Sequence, residues 1–321
     1  MKKILIIQTA FVGDVILATV LIENLKITFP EVSIDFLLRK GNQKLFDNHP
    51  KLNKIYAWDK ETNKYKNLIG LVKVIRSNNY DAVINLQRFA ASGLITALSG
   101  AKIKIGFSKN PFSFAYTKSY KHQIGNNTHE VKRNNLLLEI ICDTPIERPA
   151  LYPSLEDYNS IKIYQNGNYI CMAPASVWFT KQLPIEKWIE LIKKQSNDVT
   201  IYLLGGKSDG SLCDEIMAKT KSKNCINLAG KLTFLESAAL MKNALMNYTN
   251  DSAPLHMASA MNANVTVFYC STLPAFGFGP LSDHSKIVEI KSKLECRPCG
   301  LHGFKKCPKG HFKCGHLIEI I

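Results

Sequence analysis

A regular alternation of strand and helix patterns constrains the fold of this chain more than any other feature. In the first half, "KKILIIQ" reads as a strand, "GDVILATVLIENLKITFP" as a helix ended by Pro30, "VSIDFLLR" as a strand, "NLIGLVKVIRSNN" as a helix and "YDAVINLQ" as a strand. After a proline-bearing stretch the alternation restarts at "NYICMAPAS" and continues to "ANVTVFYC". This pattern indicates βαβ units and parallel sheets. Because 321 residues suit two domains, we predict two Rossmann-like α/β domains, 1–160 and 161–321, facing each other across a cleft.

The N-terminus and the scattered cysteines predict a cytoplasmic location. The apolar stretch of "MKKILIIQTAFVGDVILATV" is interrupted by Gly13 and Asp14, so it indicates a buried strand rather than an export signal. No uninterrupted apolar run reaches the roughly 18 residues of a membrane span. Five cysteines lie within apolar patterns and suit a reducing compartment: Cys142, Cys171, Cys213, Cys225 and Cys270.

The charge balance predicts an anionic partner. There are 41 Lys and Arg residues against 26 Asp and Glu residues, which gives a net charge of +15. The lysines are dispersed and accompany no nucleic-acid reader motif, which disfavours nucleic acid as the partner. An acidic lipid-linked substrate at a membrane surface would attract the same charge. An AT-rich genome, which favours lysine codons, is the alternative explanation of the excess.

Unusual polar residues follow three of the predicted strands, at the sheet edge where parallel α/β folds bind ligands. In "QTAFVGDVI", Gly13 suits a tight turn and Asp14 a helix start, where it is either a functional carboxylate or a plain N-cap. In "APASVWFTKQLP", a lysine with neighbouring hydroxyls suits a phosphate, although a solvated surface lysine is equally consistent. In "TNDSAPLHMASAM", an acid, a hydroxyl and a histidine gather at a helix start, which is either ordinary capping or an anion site.

A dinucleotide site is disfavoured by the glycine pattern. The segment "GGKSDG" follows a predicted strand, but Lys207 occupies its middle position, so it lacks the G-x-G-x-x-G fingerprint. A Rossmann oxidoreductase is therefore the weaker alternative, as is a basic nucleic-acid-binding protein.

Six segments in order resemble the bacterial heptosyltransferases of glycosyltransferase family 9. They are "ILIIQTAFVGDVILATVLIENLK", "APASVWFTKQLPIEKW", "YLLGG", "INLAGKLTFLESAALM", "NDSAPLHMASAMNANVTVFYCST" and "FGP". The second segment and the cysteine-rich C-terminus look most like the heptosyltransferase II branch. The resemblance implies a GT-B fold and inverting transfer of heptose from ADP-heptose to the inner core of lipopolysaccharide. A relative of the same family that uses another nucleotide sugar or a protein acceptor is the alternative.

The resemblance also implies roles for individual residues. Asp14 matches the general base, and no cofactor is needed for the chemistry. The donor diphosphate would be held by two groups of residues: Ser176, Thr180 and Lys181, and Asp251, Ser252, Ala253 and His256. This chain departs from the family pattern at two points of the donor site. Ala253 stands where the family commonly has glycine. Lys181 lies one residue further along the chain from its hydroxyl partner than the corresponding lysine of the family does.

Two arginines are candidates for binding the acceptor. Arg133 lies in "HEVKRNN", which resembles a family segment, and Arg88 follows a strand in "LQRF". A guanidinium suits carboxylates and phosphates, although a plain surface position is as consistent for both. The implied partners are an ADP-sugar and an anionic lipid-linked oligosaccharide, met at the inner face of the cytoplasmic membrane.

The C-terminal segment 296–314 carries the other four cysteines. Cys296 and Cys299 have the spacing of a zinc knuckle, and Cys307 and Cys314 complete a set of four thiolates for a structural zinc or iron ion. Three histidines compete as ligands, and reduced thiols or disulfides are the alternative. Such a site is expected to lie remote from the reaction.

Overall fold

The computed structural model describes residues 1–320, which form two compact units. Unit 1 comprises Met1–Ile124 and Thr128–Tyr152, and unit 2 comprises Gly125–Asn127 together with the chain from Pro153 onward. The main change of unit therefore falls at Tyr152, several residues before the joint expected near residue 160.

The local contacts of residues 153–160 explain this difference. Ser154 caps a short helix, because its hydroxyl accepts from the Asp157 N–H at 3.1 Å while the Asp157 carboxylate accepts from the Ser154 N–H at 2.7 Å. Ser160, at the end of the helix, donates to the Glu236 carboxylate at 2.6 Å. This contact ties the segment to unit 2.

Unit 1 contains a six-stranded parallel sheet with strand order β3-β2-β1-β4-β5-β6. In the sheet centre, Ile6 lies opposite Phe36 on one side and Ile84 on the other, and all three are fully buried. The strands are β1 Lys3–Ile7, β2 Ser33–Arg39, β3 Lys54–Trp58, β4 Ala82–Asn85, β5 Ile103–Phe107 and β6 Lys118–Tyr120. Burial on both faces explains why the central strands read as continuous apolar runs.

Four helices accompany this sheet. They are α1 Val12–Thr28, α2 Lys64–Ser77, α3 Ala90–Leu98 and α4 Glu130–Asn135. The longest, α1, is buried along most of its length and ends just before Pro30, which cannot continue a helix. Within α1, the Asn24 side chain exchanges two hydrogen bonds with the Ile146 backbone, at 2.9 and 3.0 Å, and so holds the segment after α4 in unit 1.

Unit 2 repeats the plan with strand order β12-β11-β10-β7-β8-β9, again all parallel. Its strands are β7 Tyr169–Ala173, β8 Thr200–Leu203, β9 Cys225–Asn227, β10 Asn247–Asn250, β11 Val265–Tyr269 and β12 Ser285–Glu289. Its helices are α5 Leu155–Ser160, α6 Ile185–Lys193, α7 Gly210–Thr220, α8 Phe234–Asn243, α9 Ala253–Ala260 and α10 Lys313–His316. Because β10 pairs with both β7 and β11, the loops that follow these three strands lie at one sheet edge.

The predicted α/β class with two parallel-sheet units is confirmed. The sequence analysis assigned none of the following elements: β3, α3, β5, β6, α4, α5, β12 and α10. Among residues 1–320, no helix is long and apolar enough to cross a membrane.

Candidate active site

Asn250, the last residue of β10, organises the loop that follows β7. It is fully buried; its side-chain oxygen accepts from the Leu183 N–H at 2.9 Å, and its amide donates to the Pro174 carbonyl at 2.8 Å. One side chain thus fixes both ends of the loop 174–183 against the strand that leads to Asp251. The sequence reasoning missed Asn250, whose signal is an amide at the end of a buried strand beside a predicted site acid.

Lys181 and Asp251, predicted separately, form an ion pair. The lysine Nζ lies 2.7 Å from Asp251 Oδ2, and the Thr272 hydroxyl donates to the same carboxylate oxygen at 2.6 Å. The Asp251 side chain is 6% exposed and that of Lys181 15%. An ammonium has three N–H donors, so Lys181 can bind an anion while it keeps Asp251. Thr272 was not among the predicted residues.

The start of α9 lies directly after Asp251. Ser252 is the N-cap residue, Ala253 begins the helix and Pro254 is in its first turn. Asp251 is therefore a partner of Lys181 rather than the cap. His256, also near the helix start, is 6% exposed. A helix start beside a lysine favours an anion, because the helix dipole and the backbone N–H groups add to the lysine charge.

The two hydroxyl residues of the β7 loop have different surroundings. Ser176 is partly exposed, and its carbonyl accepts from the Gln182 side chain at 2.6 Å. Thr180 is only 1% exposed; its hydroxyl oxygen accepts from the Phe304 N–H at 2.8 Å and lies 3.0 Å from Ser271 Oγ. The structure thus directs the Thr180 hydroxyl to the C-terminal segment rather than to a ligand, because this segment packs on the loop.

Asp14 lies in the first turn of α1, after β1. The helix begins at Val12 with Phe11 as the N-cap residue, so Asp14 is its third residue and is partly exposed. The alternative of a plain N-cap does not hold. Gly13 lies inside the helix, so the tight turn expected at this glycine is wrong. A carboxylate near a helix start is favoured by the dipole, and this position leaves it reachable from solvent.

Lys60, which the sequence reasoning missed, lies close to the end of β1. Its Nζ donates to the Thr9 carbonyl at 2.8 Å and to the Thr9 hydroxyl at 3.0 Å. Burial and the charges of Arg39 and Lys64 lower the Lys60 pKa to about 8. An open pocket of about 210 Å³ is lined by Lys60 and by the ends of β2 and β3. The remaining pocket charges pair with each other, Arg39 with Glu61 at 2.7 Å and Lys40 with Asp59 at 2.9 Å.

The two candidate acceptor arginines have different environments. Arg88 is exposed between β4 and α3, with its guanidinium 5.3 Å from the centre of the Phe89 ring. Arg133 is 2% exposed, and its Nε donates to Glu130 Oε2 at 2.6 Å. The expectation that Arg133 faces an acceptor therefore does not fit its placement, because the side chain is enclosed by its own helix start. Arg88 stays a prediction.

A buried charge cluster surrounds Arg133. The Glu130 carboxylate also lies 3.0 Å from His122 Nε2. Burial raises the Glu130 pKa, but hydrogen bonds and charges from His122 and Arg133 outweigh it, so the pKa lies below its ordinary value. Arg133 thus helps to keep a buried carboxylate ionised, which is a structural role.

The four C-terminal cysteines share one neighbourhood. Cys299 Sγ donates to the Cys296 carbonyl at 3.1 Å, and Cys307 Sγ accepts from the Phe312 N–H at 3.4 Å. Burial, together with the negative charges of the other three cysteines, raises the Cys314 pKa to about 12. Within residues 1–320, no group of three or more His, Cys, Asp or Glu residues is arranged to hold a metal ion. A metal at these cysteines stays a prediction.

The cysteine segment contacts the loop that carries Thr180 and Lys181, and the expectation that a metal site here lies remote from the reaction stays a prediction. The Cys299 N–H donates to the Ser271 carbonyl at 2.9 Å, and Phe304 is hydrogen-bonded to Thr180. The segment therefore contacts the residue next to Lys181.

Comparison with known proteins decides the family. The family model described as glycosyltransferase family 9 (heptosyltransferase) matches residues 69–304, more than half of the chain. The chain belongs to glycosyltransferase family 9. It is therefore a glycosyltransferase, and family membership does not support the oxidoreductase and nucleic-acid-binding alternatives.

The chain is also similar to individual heptosyltransferases. Lipopolysaccharide heptosyltransferase 3 of Escherichia coli K12 is 28% identical over 276 residues, 81% of this chain and 80% of the relative. The solved structure of E. coli ADP-heptose lipopolysaccharide heptosyltransferase II superposes with a TM-score of 0.78 at 21% identity, covering 93% of this chain and 96% of that chain. E. coli heptosyltransferase WaaC with ADP-2-deoxy-2-fluoro heptose gives 0.74 at 19% identity, over 90% and 93%.

These superpositions confirm the GT-B fold of two Rossmann-like units. The relatives carry different branch names, type 3 and type II, so placement in the heptosyltransferase II branch stays a prediction.

Proposed function

We propose that this family 9 enzyme transfers heptose from ADP-heptose to the inner core of lipopolysaccharide with inversion at the anomeric carbon. The observation that carries the donor assignment is the Lys181–Asp251 ion pair of 2.7 Å beside the start of α9. A lysine held by a buried carboxylate at a helix start suits a diphosphate. A relative named as a lipopolysaccharide heptosyltransferase supports the acceptor class, and a similar heptosyltransferase solved with ADP-2-deoxy-2-fluoro heptose supports the donor.

The reaction is a single displacement. Asp14 in unit 1 takes the proton of the acceptor hydroxyl as its oxygen attacks the anomeric carbon. The new carbon–oxygen bond forms as the bond from this carbon to the ADP phosphate oxygen breaks on the opposite face, and the bonding electrons leave with ADP. Lys181 and the α9 start in unit 2 stabilise the negative charge that develops on the diphosphate. Ser176, Ser252, Ala253 and His256 would line the same diphosphate site.

The acceptor is proposed to be an anionic lipid-linked oligosaccharide at the inner face of the cytoplasmic membrane. The net charge of +15 favours approach to an acidic surface. In unit 1, the exposed Arg88 and the Lys60 pocket supply local positive charge at the sheet edge that carries Asp14.

We expect nucleoside diphosphate release only from ADP-heptose when the enzyme is incubated with a panel of ADP-, UDP- and GDP-sugars. Release should require a Kdo-containing lipid A acceptor, because water is a poor substitute for a positioned hydroxyl. The measurement is coupled detection of nucleoside diphosphate, with mass spectrometry of the acceptor. Release from a different nucleotide sugar, or transfer to a protein, would replace this proposal with the alternative function in the same family.

We further propose that Cys296, Cys299, Cys307 and Cys314 hold one structural zinc or iron ion. Four thiols form a suitable donor set, and the bond from the Phe312 N–H to Cys307 Sγ is of the kind that supports a thiolate. The bound ion would cross-link the segment 296–314, which is mostly exposed and therefore has little hydrophobic core of its own.

Elemental analysis of protein purified under reducing conditions is expected to find about one equivalent of zinc or iron per chain, the stoichiometry of a single four-thiolate site. Cys299→Ser should lose the metal and the order of the segment, as read by limited proteolysis. Cys142→Ser in unit 1 is the matched control and should keep the metal. Less than about a tenth of an equivalent in the parent would eliminate the metal.

A further inference from the structure

The segment Arg297–Phe304, here called the tail strap, is anchored to the loop after β11. The Arg297 guanidinium donates from Nη2 to the Thr272 carbonyl at 2.8 Å, and the Cys299 N–H donates to the Ser271 carbonyl at 2.9 Å. Thr272 is also the residue whose hydroxyl holds Asp251. The first part of the strap therefore lies against the residues that support the acid of the ion pair.

The end of the strap is paired with the residue before Lys181. The Thr180 N–H donates to the Phe304 carbonyl at 3.1 Å, and the Phe304 N–H donates to the Thr180 hydroxyl at 2.8 Å. These two bonds are reciprocal, and Thr180 is 1% exposed. The backbone at Thr180 is thereby fixed from outside its own loop.

Gly303 makes this close packing possible. A Cβ atom at this position would lie 2.7 Å from Thr180 Oγ1, 3.2 Å from Ser271 Oγ and 3.3 Å from Lys181 Cγ. Its φ of +76° also favours glycine. The strap therefore leaves no room for a side chain beside Thr180 and the stem of Lys181, and a larger residue would displace the Thr180 hydroxyl first and crowd the Lys181 stem next to it.

From these contacts we infer that the tail strap is a positioning element of the donor site, with Gly303 as a positioning residue that acts through Lys181. The inference rests on the proposed binding of the donor diphosphate by Lys181. A lysine stem has several rotatable bonds, so its ammonium meets Asp251 and a phosphate together only if the stem is held. The strap supports the stem in this position, and the Thr180 hydroxyl binds the strap rather than the ligand.

Gly303→Ala is expected to raise the ADP dissociation constant about tenfold or more, since displacement of a contact group by about an ångström has effects of this order. Gly167→Ala is the matched control, because Gly167 belongs to unit 2, has φ of +78° and would place its Cβ with nothing within 4 Å. It carries the same backbone strain without the contact, so its ADP affinity should stay within about twofold of the parent. Calorimetric titration with ADP measures both.

A second comparison separates positioning from general damage to the fold. In a Lys181→Ala background, Gly303→Ala should change ADP affinity less than about twofold, because the ammonium whose position it disturbs is gone. Thr180→Ser keeps the hydroxyl that accepts from Phe304 and should bind ADP like the parent, whereas Thr180→Val should weaken binding. Circular dichroism should show the parent fold for each variant.

The outcomes distinguish the two proposals. If the parent binds ADP and Gly303→Ala binds it equally well, or if Gly167→Ala weakens binding as much, the inference is overturned while the proposed function stands. An equal loss with and without Lys181 would also overturn it. If the parent does not bind ADP but binds another nucleoside diphosphate, the proposed donor fails, and the inference fails with it.

Discussion

Replacing Asp14 with asparagine is expected to lower turnover about a hundredfold or more while the fold and ADP binding persist, because a positioned general base contributes on this scale. The amide has nearly the same shape but cannot accept the proton of the acceptor hydroxyl. Asp14 lies in the first turn of α1, partly exposed, at the edge of the sheet where β1 ends. Turnover with ADP-heptose and acceptor, and calorimetric titration with ADP, measure the two effects separately.

Glu186→Gln is the control for this variant, since Glu186 is also an acid in the first turn of a helix, α6 in unit 2. Loss of a carboxylate at a helix start costs about 0.3–1 kcal/mol of stability, so both variants should be slightly less stable. Only Asp14→Asn should lose turnover. Near-normal turnover in Asp14→Asn would reduce Asp14 to a favourable charge at a helix start.

The strands in the sheet centres could be predicted because burial on both faces dictates their composition. Residues Ile4–Ile7 of β1 are fully buried and read as an unbroken apolar run. The edge strand β12, Ser285–Glu289, buries only Val288. Its sequence therefore carries neither an apolar run nor an alternation, and only its pairing with β11 makes it a strand.

The site residues were found singly, but their relations were not. Lys181 and Asp251 lie 70 positions apart in the sequence. They meet because β7 and β10 are neighbouring strands and because Asn250, at the end of β10, holds the loop 174–183 that follows β7. No periodicity in a single sequence encodes that adjacency. For Thr180 the sequence suggested a contact that the structure assigns elsewhere. Its hydroxyl was expected to bind phosphate, but it accepts a hydrogen bond from the Phe304 N–H of the tail strap.

Removing the Lys181 ammonium is expected to weaken ADP binding by about 1–3 kcal/mol, the usual contribution of a charge-assisted hydrogen bond. In Lys181→Ala, the thermal protection that ADP gives the parent should shrink correspondingly, since protection follows affinity. The ligand-free variant should also be less stable, because Asp251 is 5% exposed and loses the cation that balances its charge. Thermal melts over a series of ADP concentrations separate the two effects: the first changes the slope with ADP, and the second shifts the whole series.

Lys187→Ala is the matched control for this measurement. Lys187 is a partly buried lysine of unit 2, paired with Glu190 at 3.4 Å in α6. Lys187→Ala removes the same chemical group and one unit of positive charge. It therefore measures any general effect of net charge on the binding of a nucleoside diphosphate. If Lys187→Ala reduces ADP protection as much as Lys181→Ala does, attraction is nonspecific and the ion pair with Asp251 is structural. Equal protection of Lys181→Ala and the parent would also contradict a diphosphate site at the start of α9, since the helix start alone would then have to hold a multiply charged group.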